Sequence, residues 1–256
     1  MLNRRILRIK AFKLLYSYAE NPDLSLKEAL DSLEASSQAT RALYLYLLDL
    51  IPALTAEAAR RTDAARAKFN PSEEELHPNL RFVENRIAAL LGNDPDFQRI
   101  IGSGKLSWEQ NDAFIHKLYG IVRERPYYRA FMEAPGSSLK RDAALWSDIF
   151  SQELEDDPDL AAILEDASIH WADDLAYALG CCIRSLEEMG RTGRWELPPL
   201  YQSERLHAQG REVSDDRAFV RSLVSAAYGR FAEYTALVAG SVPKWDRDRL
   251  YTTDIV

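Results

Sequence analysis

Apolar residues recur at helical spacing along nearly the whole chain, and no stretch alternates apolar and polar residues as a half-buried strand would. The clearest run is Leu43, Leu47, Leu50 and Leu54, which places four leucines on one side of a helix. A chain patterned this way can hide its apolar sides only by packing helix on helix, so the expected fold class is all-α. With 256 residues, 46% apolar and 28% charged, it has enough material for a sizeable core, and wholesale disorder is excluded.

The punctuation divides this pattern. A first helix is expected over residues 4–19, with Leu7, Ala11, Leu14, Leu15 and Tyr18 on one arc. Ile9, Phe12 and Tyr16 form a second arc on roughly the opposite side, so both sides call for cover. After Asn21-Pro22-Asp23, the capping box Ser25-Leu26-Lys27-Glu28 opens a short second helix. A third is expected over 38–69, kinked or divided at Pro52, and residues 70–78 read as a polar loop. Further helices are expected near 79–92, 107–133 (interrupted at Pro126), 138–154 and 166–189. Residues 190–213 hold Gly190, Gly193, Pro198, Pro199 and Gly210 and read as a linker. Ser214 then caps a helix from about 215 to 239, and Asp246 begins another just before the sequence ends at Val256.

Little in the sequence suggests catalysis. Gly102-Ser103-Gly104-Lys105 looks like half a phosphate loop, but Arg99 stands where the first glycine belongs and Leu106 where Ser or Thr is needed. It reads as a turn between helices. Asp166, His170, Asp173 and Asp174 could share one helical face, as metal ligands do. Their most economical reading is a capped, solvated helix start, because no other helix offers matching ligands. No serine, cysteine or histidine constellation suggests a nucleophile. The expectation is a protein that is not an enzyme, with no cofactor and no metal site. Cys181 and Cys182 are the only cysteines and read as buried reduced thiols, in keeping with a cytoplasmic location. No run approaches the roughly 18 apolar residues of a membrane span, and no membrane partner is expected.

The charge is unevenly placed. Arg4, Arg5, Arg8, Lys10 and Lys13 come before the first acidic residue, Glu20, in a chain of net charge −8, so the residues after 19 carry −13. Cations in the first turn of a helix oppose its macrodipole. Phosphate groups at that end would compensate, and they favour a local nucleic-acid contact over a nonspecific coat.

Three segments give this start a context. Arg4-Arg5-x-x-Arg8 followed by Leu15-Tyr16-Ser17-Tyr18 resembles the opening helix of the NusB family of bacterial transcription antitermination factors. Asp216-Arg217-Ala218-Phe219-Val220-Arg221-Ser222-Leu223 resembles that family's third helix, and Trp245-Asp246-Arg247-Asp248-Arg249-Leu250 the start of the next. Residues 37–213 are similar to the large helical insertion of a longer subgroup, through Asn79-Leu80-Arg81-Phe82, Glu165-Asp166-x-Ser168-x-x-Trp171-x-Asp173-Asp174 and Leu197-Pro198-Pro199-Leu200-Tyr201. The resemblance implies a NusB-like helical bundle made of residues 1–36 and 214–256, with 37–213 inserted and the second subdomain cut short at the C-terminus. It also implies transcription antitermination without enzymatic activity. The implied partners are single-stranded boxA-like RNA, a small-subunit ribosomal protein acting as an elongation factor, and the transcription elongation complex. The RNA role maps onto Arg4, Arg5, Arg8 and Arg221, and the ribosomal-protein contact onto Asp254. The rival expectation is a helical protein-interaction adaptor whose insertion is the functional surface.

Overall fold

The computed structural model of the chain describes residues 1–104, 106–241 and 252–255. Its regular elements are all helical, and among the described residues the sole β feature is one isolated parallel bridge between Leu2 and Tyr201. The chain divides into two compact units, Met1–Ala39 with Pro198–Val256, and Thr40–Leu197.

In the first unit, α1 runs Arg4–Glu20 and α2 begins at Leu26. After the second unit come α11 (Gln202–Ala208), α12 (Asp216–Gly229), α13 (Phe231–Ser241) and α14 (Thr252–Ile255). The expected helix 215–239 is divided at Gly229, among the weakest of helix formers. Residues 198–213, which the glycines and prolines mark as linker and insertion, belong to this unit. The physical reason is backbone pairing: Leu2 N donates to Leu200 O (2.7 Å) and Gln202 N to Leu2 O (2.8 Å). The Trp245–Leu250 segment lies outside the described residues.

Helix α1 packs on α12. Leu7, Ala11, Leu14 and Leu15 are buried as their arc predicts. On α12 the buried positions are Asp216, Val220 and Val224, whereas Phe219 and Leu223 flank them half-buried. Tyr18 closes the far end of the contact, its ring 4.4 Å from that of Tyr228 and 5.2 Å from that of Phe231.

The second unit starts within α2, which is a single helix, Leu26–Arg66, where two were expected. Nothing between 34 and 40 breaks it. Ser37 is buried and donates its hydroxyl back to Leu33 O (2.9 Å), so this polar residue is satisfied within the helix. Pro52 does not divide it either. Losing one backbone hydrogen bond is outweighed by Leu43, Leu47, Leu50, Ile51 and Leu54, all fully buried on both sides of the proline. An 18-residue stretch of this helix reaches a mean hydropathy of 1.4, enough by composition to cross a membrane, but 61% of it is buried inside the fold.

Beyond α2 lie α3 (Glu73–Leu76), α4 (Arg86–Asn93), α5 (Pro95–Gly104), α6 (Asp112–Glu124), α7 (Pro126–Glu133), α8 (Leu139–Glu153), α9 (Pro158–Ala167) and α10 (Leu175–Thr192). The expected loop 70–78 therefore holds a short helix, capped reciprocally by Ser72 and Glu75. The expected helix 79–92 begins only at Arg86, after Asn85 caps it. Gly102 to Gly104 form the end of α5 rather than a turn, and Lys105 lies outside the described residues. Helix α10 lies along α8 closely enough that a Cβ added at Gly190 would sit 2.8 Å from that of Ala143. Asn85 fixes the core beside them. Its Oδ1 accepts from Trp146 Nε1 (3.0 Å) and Ala88 N (2.8 Å), and its Nδ2 donates to Thr55 Oγ1 (3.0 Å) and Phe82 O (2.7 Å). Cys181 and Cys182 are buried free thiols on α10, and burial pushes both above the usual thiol range.

Asp49, on α2, is at odds with its surroundings, because burial pushes its carboxyl up to about 6. A carboxyl raised in the folded state contributes stability that is complete below its unfolded pKa and is lost as pH rises through about 6. Asp49→Asn is therefore expected to melt above the wild type at pH 7.5, by roughly 1–2 kcal/mol of stability, with the gap closing near pH 4. Melting curves at the two pH values check this, and an equal gap at both would show that Asp49 is not the cause.

Candidate nucleic-acid interface

Helix α1 is opened by Asn3, whose side chain accepts from Ile6 N (3.1 Å). No acidic residue occupies the first turn, so the helix N-terminus is left with Arg4 and Arg5 and an unfavourable local charge.

Part of that charge is neutralised from far along the chain. Arg4 Nε lies 3.0 Å from Asp216 Oδ1, and its Nη2 donates to Ser214 O (3.3 Å) and to the Ser214 hydroxyl. Asp216 is nearly buried, and its second oxygen accepts from Ser203 N (2.8 Å) while Ser203 Oγ accepts from Asp216 N (3.0 Å). One carboxylate thus ties α1, α11 and α12 together. The Arg4 guanidinium also lies over the Phe219 ring, 4.6 Å from its centroid, and Arg8 lies 5.2 Å from the same ring. Arg4 is consequently engaged within the protein, with its side chain 40% exposed. Lys10 is buried too, with Nζ donating to Ser36 O (3.1 Å) and Oγ (2.9 Å).

What remains outward is a mixed face. Arg5 and Arg8 are exposed, and Arg5 makes no ion pair among the described residues. Ile9, Phe12 and Tyr16 are 42%, 39% and 38% exposed. At 3.6 residues per turn, Arg5, Ile9, Phe12 and Tyr16 form one stripe, with Arg8 on its edge toward Phe219. The second apolar arc of α1, for which the sequence calls for cover, is this open stripe. It sets two guanidinium groups at its N-terminal end and the aromatic planes of Phe12 and Tyr16 beyond them, a combination that can hold single-stranded nucleic acid by phosphate contact and base stacking.

Arg221 does not join it. On α12 it stands about 200° round the helix from Phe219, exposed and away from Arg4 and Arg8. Asp254 falls in α14, and its side chain lies outside the described residues. The acidic candidates in the second unit are also dispersed. Asp166 lies in the last turn of α9, His170 follows in a turn, and Asp173 and Asp174 belong to the 3-10 turn Ala172–Asp174. Asp174 is buried and accepts from Thr40 Oγ1 (2.5 Å). They share no helical face, and among the described residues no three His, Cys, Asp or Glu side chains converge to hold a metal ion.

Sequence reasoning missed the Arg4–Asp216 tie and the use of Phe219 as a platform. The two partners are separated by 212 residues, and nothing local marks them. Comparison of the chain with protein-family models, with curated proteins and with solved structures finds no match.

If Arg4 is structural and Arg5 is not, the two should differ in stability when truncated. Arg4→Ala leaves the Asp216 carboxylate without its cation and is expected to cost about 1–2 kcal/mol, whereas Arg5→Ala should stay within about 0.5 kcal/mol of wild type. Urea denaturation of the two variants measures this, and equal stabilities would remove Arg4 from that role.

Proposed function

We propose that this protein is an RNA-binding transcription antitermination factor of NusB-like type, which takes single-stranded, boxA-like RNA on the outer face of α1. The observation that carries the reading is the stripe of Arg5, Arg8, Ile9, Phe12 and Tyr16, an exposed cationic and aromatic surface on a helix whose other side is buried. Its arginines meet phosphates and its aromatic rings offer stacking planes. The net charge of −13 beyond residue 19 repels RNA elsewhere and confines binding to this face. On this reading a small-subunit ribosomal protein joins the RNA-bound chain near Asp254, and the pair acts within the transcription elongation complex. No catalytic step and no cofactor are needed, because the work is done by binding.

Phe69 and Ile169, on the second unit, are 106% and 90% exposed. They favour the second reading, an adaptor whose inserted unit is the surface that partners meet.

RNA binding separates the two. Each phosphate neutralised on a single strand contributes about −0.7 to the slope of log K against log salt. The Arg5→Ala/Arg8→Ala variant should therefore bind boxA-like RNA more weakly and with a slope shallower by about 1.4. Arg221→Ala should change both much less. Unchanged affinity and slope in the double variant would reject the RNA reading and leave the adaptor in its place.

A further inference from the structure

The segment joining α11 to α12 is folded into a definite shape. Gly210 takes the left-handed conformation at φ 74°, its N–H donating to His207 O (2.9 Å) while Arg211 N donates to Leu206 O (3.0 Å). This is the paired bonding that reverses a chain at the end of a helix, and glycine is the residue suited to the left-handed position. The reversal brings Arg211 back beside His207, and the loop closes when His207 Nε2–H donates to Val213 O (2.7 Å). Between them lies an open cleft of about 580 Å³ lined by His207, Gly210, Arg211, Glu212, Val213 and Ser214.

Two features connect the cleft to the face on α1. Ser214, on its wall, receives the Arg4 guanidinium, and Arg4 shares the Phe219 ring with Arg8. Arg8, Phe219, Arg4 and Ser214 therefore form a continuous path from the outward stripe to the cleft. The second feature is an available cation. Arg211 is exposed and has no acidic partner among the described residues, although Glu212 is its immediate neighbour. His207 adds a polar ring whose Nε2–H is already committed, so in the neutral form Nδ1 is an acceptor suited to a hydroxyl group.

We propose that the cleft holds a further nucleotide of the RNA bound on α1, with its phosphate on Arg211 and its ribose against His207. The 2′-hydroxyl is the group by which a protein distinguishes RNA from DNA, and an acceptor nitrogen beside a phosphate-binding cation receives it. Glu212 limits the cleft to one such contact by opposing additional negative charge. The inference rests on the RNA reading of α1 and extends it to a second element of the same unit.

The test uses the full chain and two RNAs in fluorescence anisotropy, one just long enough for the α1 face and one extended at both ends. Arg211→Ala should weaken the extended RNA about fivefold, the upper range for one exposed ion pair, and make its salt slope shallower by about 0.7. It should leave the short RNA unchanged. Arg211→Lys should retain the slope, and Glu212→Gln should tighten the extended RNA alone. Because both side chains are exposed, the variants should melt as the wild type does. If Arg211→Ala binds both RNAs like wild type while Arg5→Ala/Arg8→Ala weakens them, the cleft is rejected and the α1 face stands. If the wild-type chain binds neither RNA in a salt-dependent way, both fall together.

Discussion

The Asp216 carboxylate is the point at which distant parts of the first unit are held in register. It is nearly buried, which would be costly for a lone charge. It is matched instead by Arg4 on one oxygen and by the Ser203 backbone on the other. Those contacts fix the start of α1 against α12 and bring α11 alongside. They also answer the difficulty built into α1, whose first turn gathers cations at the positive end of the helix dipole. One of those cations is neutralised inside the protein, and Arg5 and Arg8 are left outside.

The same helix therefore does two kinds of work on two sides. Leu7, Ala11, Leu14 and Leu15 face the core, while Arg5, Ile9, Phe12 and Tyr16 face outward. Turning a helix by half a turn exchanges one set for the other, so the packing of α1 on α12 decides which set is displayed. Phe219 stands at the border. It is half-buried against the core and also carries the guanidinium groups of Arg4 and Arg8 on its ring, which restricts where Arg8 can reach.

Much of the second unit follows from apolar burial overriding local signals. Pro52 lies within one long helix because the leucines on either side of it are buried together. Asn85 caps a helix and bonds to Trp146, Thr55 and Phe82 O, so a polar side chain at the centre of the core has all its needs met. The acidic residues near 166–174, which a helical wheel would gather on one face, are spread over a helix end, a turn and a 3-10 turn. A helical wheel holds only where the helix continues, and Ser168 ends that one.

Helical periodicity and the absence of alternation determined the all-α class, and local chemistry determined the start of α1, the capping box of Ser25 and Glu28 that opens α2, and the buried thiols. The placing of positive charge in the first turn was also plain in the sequence, as was the pair of opposed arcs on α1. These depend on neighbours within one or two turns, which a linear chain displays. Which arginine is structural and which is open was decided only by tertiary structure, because Arg4 and Asp216 meet across 212 residues of chain. The same holds for Arg221, set on the far side of its helix from Phe219, and for Arg211, brought beside His207 by a left-handed glycine. Long-range pairing depends on packing geometry, and packing geometry is not written in any local run of residues.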